Sequence, residues 1–345
     1  MSKLTSHILV IRLSSIGDVA MSVPVLRALS QQNPGVKITV LSKVFLKPLF
    51  DEVKNVTFYA ADLNGRHKGI LGLYRLSKEL KRLKIDAIAD IHNVLRSKIL
   101  RFLFSLSRIK SIAIHKGRAE KKALTRAENK IFKQLKTSHE RYADVFRKLG
   151  FSLDLKNSEF PLKPDLSSSI LEIIAHDHLK WVGIAPFAQY KSKMYPLDLI
   201  EEVITKLESS NQYKIFLFGG GSKEINVLNG LEKKYQNTIS VAGKLNLKDE
   251  LNLIANLDCM ISMDSANSHL AAMQNIKVIT LWGITHPFAG FAPFNQPEEY
   301  MLLPDLKKYP KIPCSIYGNK VCDGYDEVMR SIAPEKILEK INTIC

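Results

Sequence analysis

The sequence predicts a two-domain α/β protein in which each half is a mostly parallel, doubly wound sheet. Three observations predict it. The chain has 345 residues, too long for one ordinary core and suited to two domains of about 150 residues each. Short β-branched runs alternate with helical periods through the first half, and the same alternation starts again in the second. A polar, proline-marked stretch, Asp154 to Ser169, separates the two series. The expected divisions are residues 1–160, residues 161–333 and a C-terminal helix over 334–345.

In chain order, the first half predicts strands at Ile8–Leu13, Lys37–Leu41, Val56–Tyr59, Ala87–Ile91 and Ile109–Ile114. Helices are expected near Val19–Gln32, Leu71–Leu83, Arg96–Leu106 and His139–Leu149. The second half predicts strands at Trp181–Ala185, Lys214–Phe218, Ile239–Val241, Met260–Ile261 and Lys277–Leu281. Its helices are expected at Leu197–Ser209, Lys223–Tyr235, Leu247–Ala255 and Ser265–Met273. A last helix, Pro334 to Asn342, opens with proline at a favoured first-turn position. Two such halves facing each other across a cleft place ligands outside the carboxyl ends of their strands.

The composition, 46% hydrophobic and 24% charged, is that of a folded globular protein. No apolar run approaches the roughly 20 residues that span a bilayer. The start, Met1 to Ser6 followed by His7-Ile-Leu-Val-Ile-Arg, lacks the apolar core and cleavage site of a signal peptide and reads as a first buried strand. A cytoplasmic protein is expected. The four cysteines, Cys259, Cys314, Cys322 and Cys345, are too few and too clustered for a disulfide framework. Cys259 reads as a core thiol. Cys314 and Cys322 bracket a short loop, and with no histidine nearby they make an incomplete zinc set.

Charge is unevenly placed. The net +16 divides into 32 Lys/Arg against 14 Asp/Glu over residues 1–165, and 18 against 20 over the remainder. Between Arg96 and Lys148 there are 16 basic residues and 4 acidic ones. Such a field draws phosphate-rich partners: nucleic acid, an anionic lipid surface or an acidic glycan. A solvated basic face is the plainer alternative.

Four segments carry chemistry. In Ile11-Arg-Leu-Ser-Ser-Ile-Gly-Asp18, a buried strand ends and a tight turn containing Ser15 and Gly17 delivers Asp18 to the entrance of a helix. Asp18 there is either a helix cap or a catalytic carboxylate at a cleft edge. The segment lacks the G-x-G-x-x-G dinucleotide fingerprint. In Gly183 to Pro196, Lys191 and Lys193 lie in a loop between a strand and a helix. Lysine charge and helix-terminal amides suit a diphosphate, although two ordinary surface lysines read the same way. Phe218-Gly-Gly-Gly-Ser222-Lys-Glu224 is a strand-to-helix turn whose Gly220 and Gly221 leave bare amides, a common arrangement by itself. In Ile261-Ser-Met-Asp264-Ser265-Ala-Asn-Ser268-His269, polar residues gather where an α/β sheet presents its carboxyl edge, and His269 lies one turn from Ser265.

Taken in order, IRLSSIGDV, KSKMYP, the glycine turn, SMDSANSHLAA and LWGITHP resemble glycosyltransferase family nine, the heptosyltransferases of lipopolysaccharide inner-core synthesis. The resemblance covers nearly the whole chain. It implies the GT-B architecture, two Rossmann-like domains facing across a cleft, with acceptor bound mainly by the first and nucleotide sugar by the second. It places the catalytic aspartate on Asp18 and the phosphate-contacting lysine on Lys193, with Lys191 as the alternative. The donor-contacting aspartate falls on Asp264, with Ser265, Ala266 and Asn267 as neighbouring backbone contacts and His269 in the same motif. Where the family often has Thr-Gly after that aspartate, this chain has Ser265-Ala266, which bears on donor contact. Glu224 is the candidate for the acid near the glycine turn.

The resemblance further implies inverting transfer, by default of heptose from ADP-heptose, with the nucleotide sugar as substrate and no cofactor. No D-x-D segment suggests a metal-bridged donor, and no metal is expected. The implied acceptor is an acidic glycolipid. Ser15, Gly17 and the basic residues Lys116, Arg118, Lys121 and Lys122 are its candidate contacts, and loose attachment to the anionic inner-membrane surface is expected. The alternatives are a nucleotide-sugar epimerase of similar fold, a dinucleotide dehydrogenase and a nucleic-acid-binding protein. The missing fingerprint disfavours the dehydrogenase. Only the basic half supports nucleic acid, with no recognised module or aromatic RNA-binding signature, so no nucleic-acid partner is expected.

Overall fold

The computed structural model describes residues 6–174 and 178–345; Met1 to Thr5, part of the start read above for a signal peptide, lie outside the described residues. The chain divides into two compact units, one formed by residues 1–116 and 138–160, the other by residues 117–137 and 161–345.

In the first unit, β1 (His7–Ile11) is buried along its whole length, as a strand covered on both faces must be, and its sequence is accordingly a near-continuous apolar run. The helix expected over Val19–Gln32 is two helices, α1 (Ile16–Ala20) and α2 (Ser22–Gln32), parted at Met21. Pro24 has no N–H to give the Ala20 carbonyl, so one continuous ladder cannot form there. After β2 (Lys37–Ser42) and β3 (Val56–Ala60) comes α3 (Gly69–Lys81), which turns Leu73, Leu76 and Leu80 inward at helical spacing. β4 (Ala87–Asp90), α4 (Leu95–Ser105) and β5 (Lys110–Ala113) follow. The next helix, α5 (Arg118–Leu124), belongs to the second unit, whereas α6 (Ser138–Leu149) returns to the first and packs on α2 and β4. The sheet is parallel throughout, in the order β3-β2-β1-β4-β5.

The second unit begins its sheet after the short α7 (Ser168–Leu171). Strands and helices alternate as β6 (Lys180–Ala185), α8 (Leu197–Ser209), β7 (Tyr213–Leu217), α9 (Ser222–Glu232) and β8 (Thr238–Ser240). They continue as α10 (Leu247–Ile254), β9 (Cys259–Met263), α11 (Ala266–Ala272), β10 (Lys277–Leu281), the two-residue β11 (Met301–Leu302) and α12 (Pro334–Ile344). The order is β11-β10-β9-β6-β7-β8, again all parallel. The edge strand β11 has no periodic signal in the sequence. Each unit is thus a Rossmann-like α/β domain, the two-domain composition of the GT-B plan.

Two further expectations need correction. The segment 117–137, placed by sequence in the first domain, groups with the second unit. Its apolar and aromatic residues account for this: Leu124 and Leu135 share a small core with Ala289, Phe132 packs against His286 and Phe288 with ring centres 5.0 Å apart, and the Leu135 amide donates to the Phe288 carbonyl. The cysteines are not thiols. Cys259 joins Cys345 and Cys314 joins Cys322. Their Cα separations of 6.1 and 5.9 Å lie in the range a disulfide requires. The first pairing brings together β9 and the chain end, 86 residues apart, which spacing alone cannot reveal.

Candidate active site

A doubly wound sheet opens a crevice where its strand order reverses, because successive crossovers leave in opposite directions from that point. In the first sheet the reversal falls between β1 and β4, and in the second between β6 and β9. Both reversals carry charged side chains singled out by the sequence.

At the first, Arg12 leaves the end of β1 and pairs with Asp18 in the first turn of α1. The Ser15 hydroxyl donates to the same carboxylate oxygen at 2.9 Å. Ser15 is the N-cap of α1, yet its side chain makes no capping bond; it serves Asp18 instead. Gly17 is buried in the same turn. Arg12 is itself held: it donates to the Ile91 carbonyl at 2.9 Å and lies 5.8 Å from the ring centre of Tyr142. Arg12 is nearly buried and holds Asp18, whose side chain is 32% exposed. His92, one residue beyond Ile91, accepts from the Leu13 amide through Nδ1 at 3.3 Å. Burial, with Arg12 and Lys116 adding positive charge, pushes its pKa down to about 4. The imidazole is therefore neutral near pH 7, with its proton on Nε2. Below it, buried Asp90 takes the His92 and Asn93 amides and pairs with Arg101 at 2.9 Å.

At the second reversal, Lys193 lies in a 3₁₀ turn after β6 and Asp264 directly after β9. Lys193 Nζ stands 2.9 Å from Asp264 Oδ2, with the carboxylate only 8% exposed. The Thr285 hydroxyl donates to the same oxygen at 2.9 Å. Lys191 points to solvent. Of the two lysines, Lys193, on which the resemblance places the phosphate contact, lies at the crevice, and the alternative, Lys191, does not.

The turn bearing Lys193 is shaped by two glycines outside it. A Cβ on Gly283 would run into the Ser192 carbonyl, so only glycine lets the Leu281-Trp-Gly segment pass this close. Gly318 has φ +86°, and a Cβ there would strike the stem of Lys193. Ser192 Oγ completes the fit by donating to the Gly318 carbonyl at 2.6 Å. Gly318 sits in the loop closed by Cys314 and Cys322, so this loop buttresses Lys193.

The remaining candidates line the same unit. Ser265 caps α11 without a side-chain cap bond, Ala266 and Asn267 are half-buried, and His269 is buried within that helix. Gly220 and Gly221 have open space at their Cβ positions. Glu224 Oε2 accepts from the Gly220 amide at 2.9 Å, tying the glycine turn to the first turn of α9.

The boundary between the two units passes through the basic cluster. Lys116 falls in the first unit, whereas Arg118, Lys121 and Lys122 lie on α5 of the second. Arg118 and Lys122 are exposed. Lys121 is buried, its ammonium 4.0 Å from the Phe291 ring centre and 6.0 Å from that of Tyr317, a cation–π arrangement. Once residues are assigned to their units, the first carries 24 Lys/Arg against 11 Asp/Glu and the second 26 against 23. The positive excess still belongs to the first. Among the described residues, no group of three or more His, Cys, Asp or Glu could hold a metal ion.

Residues 73–315 match the family described as Glycosyltransferase family 9 (heptosyltransferase). The chain belongs to glycosyltransferase family 9. It is accordingly a glycosyltransferase, and the matched span holds Lys193, Asp264 and Thr285 but not Asp18. Similarity to individual members reaches further. The chain is 27% identical over 369 aligned residues to lipooligosaccharide heptosyltransferase 2 of Haemophilus influenzae, covering 98% of this chain and 99% of that protein. A family 9 glycosyl transferase of Veillonella parvula has a similar structure, with TM-score 0.75 at 19% identity and coverage of 100% of this chain and 98% of the other. The E. coli ADP-heptose lps heptosyltransferase II has TM-score 0.69 at 19% identity, with 98% of each chain covered.

The sequence missed Arg12, His92, Thr285, Ser192, Gly283 and Gly318. For four of them a signal existed, since Gly283 and Thr285 stand in LWGITHP, Arg12 in IRLSSIGDV and Ser192 in KSKMYP, segments that carry the resemblance. Arg12 and His92 meet only because β1 pairs with β4, and nothing local announces it.

Proposed function

We propose that this family 9 member is an inverting, metal-independent heptosyltransferase that moves heptose from ADP-heptose onto lipopolysaccharide core or a related acidic glycolipid, working in the cytoplasm at the inner-membrane surface. The observation that carries it is the Lys193–Asp264 pair at the reversal of the second sheet. A lysine there offers charge to a diphosphate at the place where open α/β sheets bind ligands. Donor phosphate oxygens compete with Asp264 for Nζ, and the freed carboxylate, still held by Thr285, is available to sugar hydroxyls. The start of α11, the glycine turn and Glu224 offer amide and carboxylate partners to the rest of the nucleotide.

In the proposed reaction Asp18 takes the proton from an acceptor hydroxyl. The oxygen attacks the anomeric carbon, the bond from that carbon to the diphosphate oxygen breaks, and ADP leaves from the opposite face, which inverts the centre. The products are glycoside, ADP and one proton, first resident on Asp18. A positioned base contributes about 10²–10⁴ in rate, and charge on the leaving group is met by Lys193. Arg12 and Ser15 aim the carboxylate. Neutral His92 adds no charge to compete for Asp18. The acceptor's phosphates and carboxylates are drawn by the positive first unit, with Lys116 in that unit and Arg118 and Lys122 as the exposed members of the cluster.

The test is release of ADP from ADP-heptose with and without a defined core acceptor ending in Kdo or heptose. Acceptor-dependent release with a new glycoside of inverted configuration supports the reading. Release without acceptor, or selective turnover of a UDP-sugar by epimerisation, contradicts it.

A further inference from the structure

One face of the first unit keeps its apolar residues outside. On α3, Leu73, Leu76 and Leu80 fill the core, yet Ile70 is 72% and Leu71 83% exposed, and Tyr74 is exposed as well. On α4, Leu100 and Phe104 go inward, whereas Leu95 is 74% exposed and Phe102 and Leu106 are also largely in solvent. Helical spacing makes these rows. Ile70, Leu71, Tyr74 and Lys78 share one side of α3, and Leu95, Ile99, Phe102 and Leu106 share one side of α4. The connections from β3 to β4 and from β4 to β5 run in the same direction across the sheet, so right-handed crossovers put both helices on one face. The two helices pack together there, and Lys81 Nζ reaches the Leu103 carbonyl at 2.9 Å.

Single exposed apolar residues are ordinary, but rows on two adjacent helices mark an interaction surface. Charge says what kind. Residues 65–110 contain 12 Lys/Arg and 3 Asp/Glu. Those three acids are committed inside the unit: Asp90 is buried against Arg101, Glu79 bonds Tyr59, Arg66 and His67, and Asp86 takes the Ser6 and His7 amides. Lys68, Arg75, Lys78, Arg82, Arg96 and Lys98 surround the apolar rows and are exposed. Protein interfaces are depleted in lysine, whereas apolar side chains framed by Lys and Arg are the pattern of surfaces that lie on anionic lipid.

We propose that the α3–α4 face of the first unit docks on an anionic lipid bilayer, with Ile70, Leu71, Leu95 and Phe102 entering the interface and the surrounding Lys and Arg meeting lipid phosphates. Both helices start at the carboxyl edge of the sheet, so Ile70, Leu71 and Leu95 lie along the edge that carries Asp18. Docking thereby brings the acceptor-side carboxylate to the surface where a membrane glycolipid is found. The proposal refines the membrane part of the proposed function and is independent of the transfer chemistry.

The test is co-sedimentation of the full chain with vesicles of equal parts phosphatidylcholine and phosphatidylglycerol, against vesicles of phosphatidylcholine alone. The unmodified chain is expected to bind the anionic vesicles, less tightly as salt rises. The triple variant Ile70→Ser, Leu71→Ser, Leu95→Ser is expected to bind at least about tenfold more weakly, with its melting temperature and ADP affinity unchanged. Arg118→Gln with Lys122→Gln on α5 is expected to bind as the unmodified chain does. A separate variant, Leu71→Trp, reports insertion directly, by a blue shift of emission on anionic vesicles. The proposal is overturned if the unmodified chain stays in the supernatant, if the triple variant binds undiminished, if the tryptophan emission does not move, or if the serine substitutions instead dissolve a dimer of this chain. Vesicle binding without heptosyl transfer would refute the transfer reading alone; transfer without vesicle binding would refute this one alone.

Discussion

The two strand-order reversals are built on the same plan, and each holds an acid against a cation. In the first unit a buried cation, Arg12, holds an acid, Asp18, that is about a third exposed. In the second a buried acid, Asp264, braced by Thr285, holds the ammonium of Lys193. In the proposed function the first pair supplies the group that accepts a proton and the second the group that neutralises phosphate. Parallel sheets supply the place; at the first the acid is the more exposed partner, 32% against 8%, whereas at the second both partners are nearly buried, Lys193 at 13% and Asp264 at 8%.

The sharpest way to break this comparison is to remove Asp18 and Lys193 in turn. Asp18→Asn is expected to cut kcat by about two orders of magnitude or more with ADP affinity retained, measured by single-turnover transfer and ADP titration. Retained turnover would reduce Asp18 to a member of a helix turn. Lys193→Ala is expected to weaken ADP binding by roughly 10- to 150-fold, the value of a charge-assisted contact of about 1.5–3 kcal/mol. Lys191→Ala should change it less than about twofold. The reverse ranking in calorimetric titration would exchange their roles.

Supports should cost less than the groups they hold. Gly318→Ala forces a Cβ against the Lys193 stem at a positive φ; ADP affinity is expected to fall several-fold, about 1 kcal/mol, while vesicle binding stays constant. If affinity is unchanged, the Cys314–Cys322 loop does not position Lys193.

The smallest effect concerns pH. His92 has its pKa pushed down from 6.5 to about 4, so between those values the unfolded chain binds the proton that the folded one refuses. Stability from this group is full above about pH 6.5 and is lost as pH falls toward 4. His286 acts in the same sense, pushed down to about 4 by burial and Lys130. Glu250 acts oppositely: burial raises it from 4.5 to about 7, so its contribution is full below 4.5 and lost as pH rises to 7. His286 and Glu250 offset each other within the second unit. Between pH 7 and 5, hydrogen exchange is therefore expected to speed up more in β1 and β4 than in β6 and β9, after correction for intrinsic rates. His92→Gln should shrink the difference, leaving the part owed to His7 on β1, whose pKa burial also lowers.

How much of this was legible depends on how far each contact reaches along the chain. The alternation of strands and helices is local, and so the two sheets, Asp18 after β1 and Asp264 after β9 could be read directly. Lys193 and Lys191 stand two residues apart and differ only in direction, which a 3₁₀ turn decides. Arg12 and His92 come together through β1–β4 pairing, and Ser192 meets Gly318 across 126 residues. No periodicity encodes such meetings. The departure of residues 117–137 from the first unit was hidden for another reason. Their basic charge is conspicuous, whereas the few residues that anchor them, Leu124, Phe132 and Leu135, are scattered through a stretch without regular spacing.

The division of labour between the two crevices is tested most directly by titrating ADP calorimetrically into the unmodified chain, Asp18→Asn and Lys193→Ala, and following ADP-heptose turnover by the same three proteins. Asp18→Asn is expected to bind ADP as tightly as the unmodified chain and to be nearly inert, while Lys193→Ala binds ADP at least about tenfold more weakly. Equal loss of ADP affinity in both variants, or full turnover by Asp18→Asn, would contradict it.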